Sequence, residues 1–183
     1  MMRELSLNVL DIVQNSISAK ADLITIDVEE NTQTADFSIT ITDNGCGMTP
    51  EQIKSVKDPF YTTRTTRKVG MGVPLFKMAA EMSGGSFDIS STVNEGTKVV
   101  ARFKTDNVDF IPLGDIASTM TTLISMNTDI DFVYRRCIDG KEFTLDTRQV
   151  RQILEDVPMN DVSVITWIKE FINENTQTLT EVQ

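Results

Sequence analysis

Phe37-Ser38-Ile39-Thr40-Ile41-Thr42-Asp43-Asn44-Gly45-Cys46-Gly47-Met48 runs from a strand pattern into a turn that contains two glycines. Phe37, Ile39 and Ile41 are the apolar members of a strict alternation, which puts them on the core-facing side, and Asp43 has the same parity. A carboxylate is therefore aimed inward, where it is costly unless hydrogen-bond donors meet it. Gly45 and Gly47 leave room for the flat face of another molecule to approach the backbone, so the stretch fits a nucleobase pocket. An aspartate that simply ends a strand and opens an Asn-Gly turn fits the same residues.

Upstream, Leu5, Val9, Ile12 and Ser16 share one helical face with Val13 and Ile17 beside them, which predicts an amphipathic helix over residues 4 to 19. Asn8, Asp11, Asn15 and Ser18 form a polar stripe along the edge of that face, either an ordinary solvated flank or part of a site. A strand over Leu23 to Glu29 pairs naturally with Phe37 to Thr42. Downstream, Ser86 to Thr92 and Lys98 to Phe103 flank the turn residues Asn94-Glu95-Gly96. Between the hairpins lie the segment Lys57 to Met71 and a helix from Pro74 to Met82, closed by Gly84-Gly85. Helix, two strands, loop, helix and two strands imply an α+β layer, a mostly antiparallel sheet covered on one face, with Ser38, Thr40 and Thr42 on the open face.

The character changes beyond residue 105, which divides the chain into segments 1–105 and 106–183. Asp115 can cap a helix bearing Ile116, Met120, Leu123 and Ile124. Asp139-Gly140 joins Phe132 to Ile138 with Lys141 to Leu145, a two-residue hairpin that sets Arg136 opposite Phe143 and Tyr134 opposite Leu145. Asp146 caps a helix with Val150, Ile153, Leu154 and Val157, ended by Pro158. A last helix carries Val164, Trp167, Ile168, Phe171 and Ile172, and the polar residues after Asn175 are expected to fray. Arg135, Arg136, Arg148 and Arg151 read as solvated charges, with anion binding as the other option.

At 183 residues, the chain has room for one domain, alone or with a small appendage. A net charge of −10 argues against holding nucleic acid by its phosphates, which needs clustered Lys and Arg. No apolar run is long enough to span a bilayer and Met1-Met2-Arg3-Glu4 opens no signal-peptide core, so the expected location is the cytoplasm with no membrane partner. Cys46 and Cys137 are too few and too far apart for a zinc or iron–sulfur site. The sequence holds no histidine, which removes the commonest general base and any self-phosphorylated histidine.

Four features in order resemble the boxes of the ATPase superfamily that includes DNA gyrase, mismatch-repair ATPases, heat-shock chaperones and the catalytic domains of sensor histidine kinases, the GHKL superfamily. Leu7 to Ala21 is similar to its asparagine box, Asp43-Asn44-Gly45-Cys46-Gly47-Met48 to its first glycine box, Asp58-Pro59-Phe60-Tyr61-Thr62-Thr63-Arg64 to its phenylalanine box, and Val69-Gly70-Met71-Gly72-Val73-Pro74-Leu75 to its second glycine box. The resemblance covers about residues 3 to 104 and implies a Bergerat-type two-layer sandwich, followed here by a small C-terminal extension of helix, β-hairpin and two helices.

That resemblance implies ATP and Mg2+ as ligands. Asp43 would accept the adenine amino group, Gly45 and Gly47 would shape the pocket, and Thr97 would help hold adenine. Asn15 would ligate magnesium, a hard cation suited to oxygen ligands. Gly70, Met71 and Gly72 would form the phosphate turn, beneath a lid over Lys57 to Met71 in which Phe60 and Thr63 bind the nucleotide, with Phe60 and Tyr61 equally suited to packing, and Arg64, Arg67 and Lys68 neutralise phosphate. Three positions depart from the pattern. Pro74 replaces the third glycine of the second glycine box, Asp11 stands where hydrolysing members carry a glutamate that activates water, and Ser18 stands where many have aspartate. Asp11 is the candidate catalytic base, one methylene shorter than usual.

Two functions follow from the resemblance: a phosphotransfer module that passes the terminal phosphate to a partner protein, or a nucleotide-gated binding module with little or no turnover. The whole chain also resembles small bacterial ATP-binding proteins encoded beside iron-only hydrogenase genes, which would make the partner a hydrogenase-associated or regulatory protein.

Overall fold

The computed structural model describes residues 2–58 and 71–181. In chain order the elements are α1 (Leu5–Ser18), β1 (Leu23–Asn31), β2 (Asp36–Asp43), α2 (Pro50–Lys57), α3 (Gly72–Met82), β3 (Ser86–Thr92), β4 (Gly96–Lys104), α4 (Ile116–Met126), β5 (Asp131–Ile138), β6 (Lys141–Asp146), α5 (Thr147–Leu154) and α6 (Val162–Thr180). The strands form one six-stranded sheet in the order β3-β4-β2-β1-β5-β6. Every neighbouring pair is antiparallel except β1 with β5, where Leu23 stands opposite Asp131 and Glu30 opposite Ile138. The α+β, mostly antiparallel architecture is the one the alternation and the resemblance imply.

Period-two patterning decides which face is covered. Ile24, Ile26 and Val28 of β1, Phe37, Ile39 and Ile41 of β2, and Val99, Ala101 and Phe103 of β4 are all buried, and they share one core with Leu5, Val9, Ile12 and Val13 of α1 and Val73, Phe76, Ala79 and Ala80 of α3. Phe37, Phe76, Phe103 and Phe110 stack edge-on or tilted through it, at centroid distances of 5.6 to 6.1 Å. On the opposite face Ser38 and Thr40 are half-buried and Thr42 is exposed.

The C-terminal segment continues this sheet. Phe132, Tyr134 and Ile138 of β5 and Leu145 of β6 face the same side as the β1 core residues, under α4 and α6. Asp139 and Gly140 have φ of 50° and 82°, the left-handed pair that a tight hairpin needs. Tyr134 pairs with Leu145 and Arg136 with Phe143, the expected register. Asp115 and Asp146 cap their helices, accepting from the backbone N–H groups of Ser118 and Arg148 at 2.9 Å.

Several expectations are corrected. The region before Lys57 carries α2, begun by a capping box in which Thr49 and Gln52 each satisfy the other's backbone N–H. α6 continues to Thr180 rather than fraying after Asn175, with the Thr176 and Thr178 hydroxyls turned back onto the carbonyls four residues earlier. Ile153, expected on the buried face of α5, is 80% exposed, and Val157 lies beyond that helix and is exposed too. All four arginines pair with carboxylates of the chain: Arg136 is buried, whereas Arg148 is a solvated charge as expected, its side chain 51% exposed. Arg135 bonds Glu29 and Glu142, Arg136 is buried against Glu30, Arg148 holds Asp146, and Arg151 holds Asp131.

Candidate functional site

Asp43 ends β2 on its core-facing side and is 8% exposed, as its parity predicts. Its charge is met from two directions. The Ser16 hydroxyl donates to Oδ2 at 2.6 Å and the Gly45 backbone N–H donates to Oδ1 at 2.9 Å. Beside it opens a cavity of about 350 Å³, lined by polar Asn15, Ser16 and Thr97 and by apolar Ile12, Ile41, Met48, Val73 and Ile89. A mostly apolar cleft of that size with a few convergent polar groups suits a flat aromatic base.

The turn after Asp43 is held on both sides. The Cys46 N–H donates to the Ala19 carbonyl at the end of α1, and the Asn94 N–H of the β3–β4 turn donates to the Cys46 carbonyl. Asn44 turns away from the cavity, its Oδ1 accepting from the N–H groups of Asp22 and Leu23. Gly47 has φ +68°, and a Cβ there would lie 1.9 Å from the Thr92 carbonyl oxygen, so no other residue fits.

Thr97 faces Asp43 directly across the β2–β4 ladder. Ser91 Oγ accepts from the Met48 N–H and lies 2.8 Å from both the Gly96 carbonyl and the Thr97 hydroxyl, a contact in which either hydroxyl can be the donor. The Thr97 hydroxyl is thereby anchored at the cavity wall. Asn15 lies exposed on α1 at the cavity rim, where a carboxamide oxygen can reach a hard cation shared with phosphate and water.

Met71 is the exposed N-cap of α3 and Gly72 its first residue. A Cβ on Gly72 would lie 2.9 Å from the Asp11 Cβ, so the bare glycine lets α1 and the start of α3 close together. Pro74 brings no N–H and Leu75 already donates to the Met71 carbonyl, so neither of these residues offers an amide to an anion at this helix start. Partial burial pushes the Asp11 carboxyl above its ordinary range, which makes it a better proton acceptor.

Asn15, Asp43, Gly47 and Thr97 thus line one cavity, Gly45 braces it, and Asp11, Met71 and Gly72 meet where α1 approaches α3. Phe60, Tyr61, Thr63, Arg64, Arg67, Lys68 and Gly70 lie outside the described residues. Sequence reasoning missed Ser16 as a site residue, although a serine on an otherwise apolar helix face is a signal that something polar lies opposite. It also missed Ser91, and Cys46, Met48 and Val56 as cavity walls, for which spacing offers no sign.

Comparisons with known proteins bear on the fold and the family. The chain superposes on the crystal structure of an N-terminal domain of a DNA repair protein with a TM-score of 0.54, covering 79% of this chain and 53% of that one at 19% identity, which shows a shared fold. The sensor protein SrrB of Staphylococcus aureus is 38% identical over 86 residues, 44% of this chain and 14% of the relative. A relative from Shewanella frigidimarina is 29% identical over 99 residues, 54% of this chain and 15% of the relative. The chain therefore corresponds to a small part of the length of these relatives. Residues 1–107, more than half the chain, match the family of histidine kinase-, DNA gyrase B- and HSP90-like ATPases, and the protein belongs to it.

Proposed function

We propose that the protein binds Mg-ATP in the cavity beside Asp43 and passes the terminal phosphate to a side chain of a partner protein in the cytoplasm. The observation that carries this reading is a buried carboxylate, held by Ser16 and Gly45, on the wall of an open cleft that Thr97, Asn15 and the α3 start also approach. Asp43 receives the adenine amino group, and Thr97 helps hold adenine. Asn15 holds the magnesium ion, which would screen the phosphate charge. The Gly72 and Val73 amides bind phosphate oxygen, while Asp11, raised toward basicity by burial, removes the proton from the attacking hydroxyl. Arg64 and Lys68 are assigned to phosphate neutralisation, and Phe60, Thr63 and Gly70 to the lid and the phosphate turn. The sequence has no histidine to phosphorylate, and the acceptor hydroxyl is assigned to the partner. Residues 106–183 are assigned to partner binding, and a hydrogenase-associated or regulatory protein is the proposed class of partner.

One observation favours the alternative, a nucleotide-gated switch with little turnover. Asp11 is shorter than the glutamate of hydrolysing relatives, so its reach to an attacking group is reduced. Labelled ATP with candidate partners separates the two: label on the partner supports transfer, and ATP-dependent complex formation without label supports the switch. Calorimetric titration with ATP tests the shared premise, since undiminished affinity in Asp43→Asn would overturn the base assignment.

A further inference from the structure

Ser16 lies on α1 and is 3% exposed, on a face otherwise filled by Leu5, Val9 and Ile12. A hydroxyl carries one proton, and that of Ser16 is committed to Asp43 Oδ2 at 2.6 Å. The Gly45 N–H is likewise committed to Oδ1. Both Ser16 and Asp43 line the cavity, so between them they offer it lone pairs and no donor. We infer that Ser16 is a positioning residue for base selection: by giving its only proton to Asp43 it keeps this wall acceptor-only, which takes a purine bearing an amino group at C6 and rejects one bearing an oxo group there. The inference deepens the ATP reading and rests on it.

The contrast with water explains why the hydroxyl matters. Deleting Oγ leaves a small polar gap beside a carboxylate, which a water can fill. Water has two protons, one for Asp43 and one for an oxo group, so it adapts the wall to either base. The carboxylate also loses a charge-assisted hydrogen bond that fixes its rotation.

The test is calorimetric titration of the full chain with ATP and with inosine triphosphate, which carries oxo in place of amino at C6. Wild type, Ser16→Ala and Ser16→Thr are compared, with melting curves to confirm folding. Wild type is expected to prefer ATP by about 100-fold or more. Ser16→Ala is expected to lose about tenfold in ATP affinity and to shrink the preference by about tenfold, and Ser16→Thr, which keeps the hydroxyl, to restore it. A preference left unchanged by Ser16→Ala, or not restored by a folded Ser16→Thr, overturns the inference. If Ser16→Thr does not fold, the Ser16→Ala ratio decides alone. Wild-type protein that binds neither nucleotide is a different outcome, which overturns the ATP reading itself.

Discussion

Asp43 in β2 and Arg136 in β5 are both charged, both under one-tenth exposed and both on the core-facing side of the same sheet, yet their surroundings differ. Asp43 has two donors and lines a cavity, so part of its acceptor capacity faces that cavity. Arg136 is closed in. Its guanidinium pairs with Glu30 and sits 5.5 Å over the Phe37 ring, joining the C-terminal hairpin to the far ends of β1 and β2. A buried charge with capacity left toward a cavity marks a place for a ligand, whereas a buried charge closed off by its own chain marks a joint.

The largest expected effect tests the first half of that contrast. Asp43→Asn keeps the shape but places an NH2 donor where the base brings its own, so ATP affinity should fall by about 100-fold or more with little change in melting temperature. A loss of binding accompanied by unfolding would make Asp43 a joint as well. Arg136→Met should do the reverse, lowering stability by about 2 kcal/mol in denaturant titration, less than for a fully buried pair because Glu30 reaches water, while ATP affinity stays within about twofold. Unchanged stability there would erase the distinction.

Smaller effects sharpen it. Cys46 is exposed on the cavity wall and Cys137 is half-buried on the open face of β5. Saturating ATP should slow alkylation of Cys46 by about tenfold or more and leave Cys137 unaffected, read residue by residue in peptide mass spectra. The smallest effect concerns the caps. Hydrogen bonds from Ser118 hold the Asp115 carboxyl below its ordinary range, so its stabilisation is present above about pH 4 and is lost as pH falls through the lowered folded value. Asp115→Ala should therefore cost about 1 kcal/mol at neutral pH and almost nothing in strong acid, measured as the difference between urea midpoints.

Much of this was legible in the order of residues because it is local. Alternation placed Asp43 inward, and Asp139-Gly140 fixed the hairpin register. The capping box Thr49-Pro50-Glu51-Gln52 was equally local and was overlooked, because α2 has few apolar residues to give it a period. Other features depend on distant partners. Nothing near Leu23 announces that β1 will pair in parallel with β5 more than a hundred residues later, and nothing near Arg135 or Arg136 names Glu29 and Glu30 as their counterions. Ser16 lies between these cases. Its place on an apolar face was visible, but its meaning depended on Asp43, 27 residues away.

The parallel seam between β1 and β5 has one more implication. With β5 seated against it, β1 is an interior strand, and the hairpin and its two helices act as a built-in seal. A chain cut near residue 105 would leave Leu23 to Glu30 with a row of bare amides and carbonyls, a template on which any stray extended peptide could crystallise as a new strand. The C-terminal hairpin thus turns what would be an open sheet edge at β1 into an interior seam.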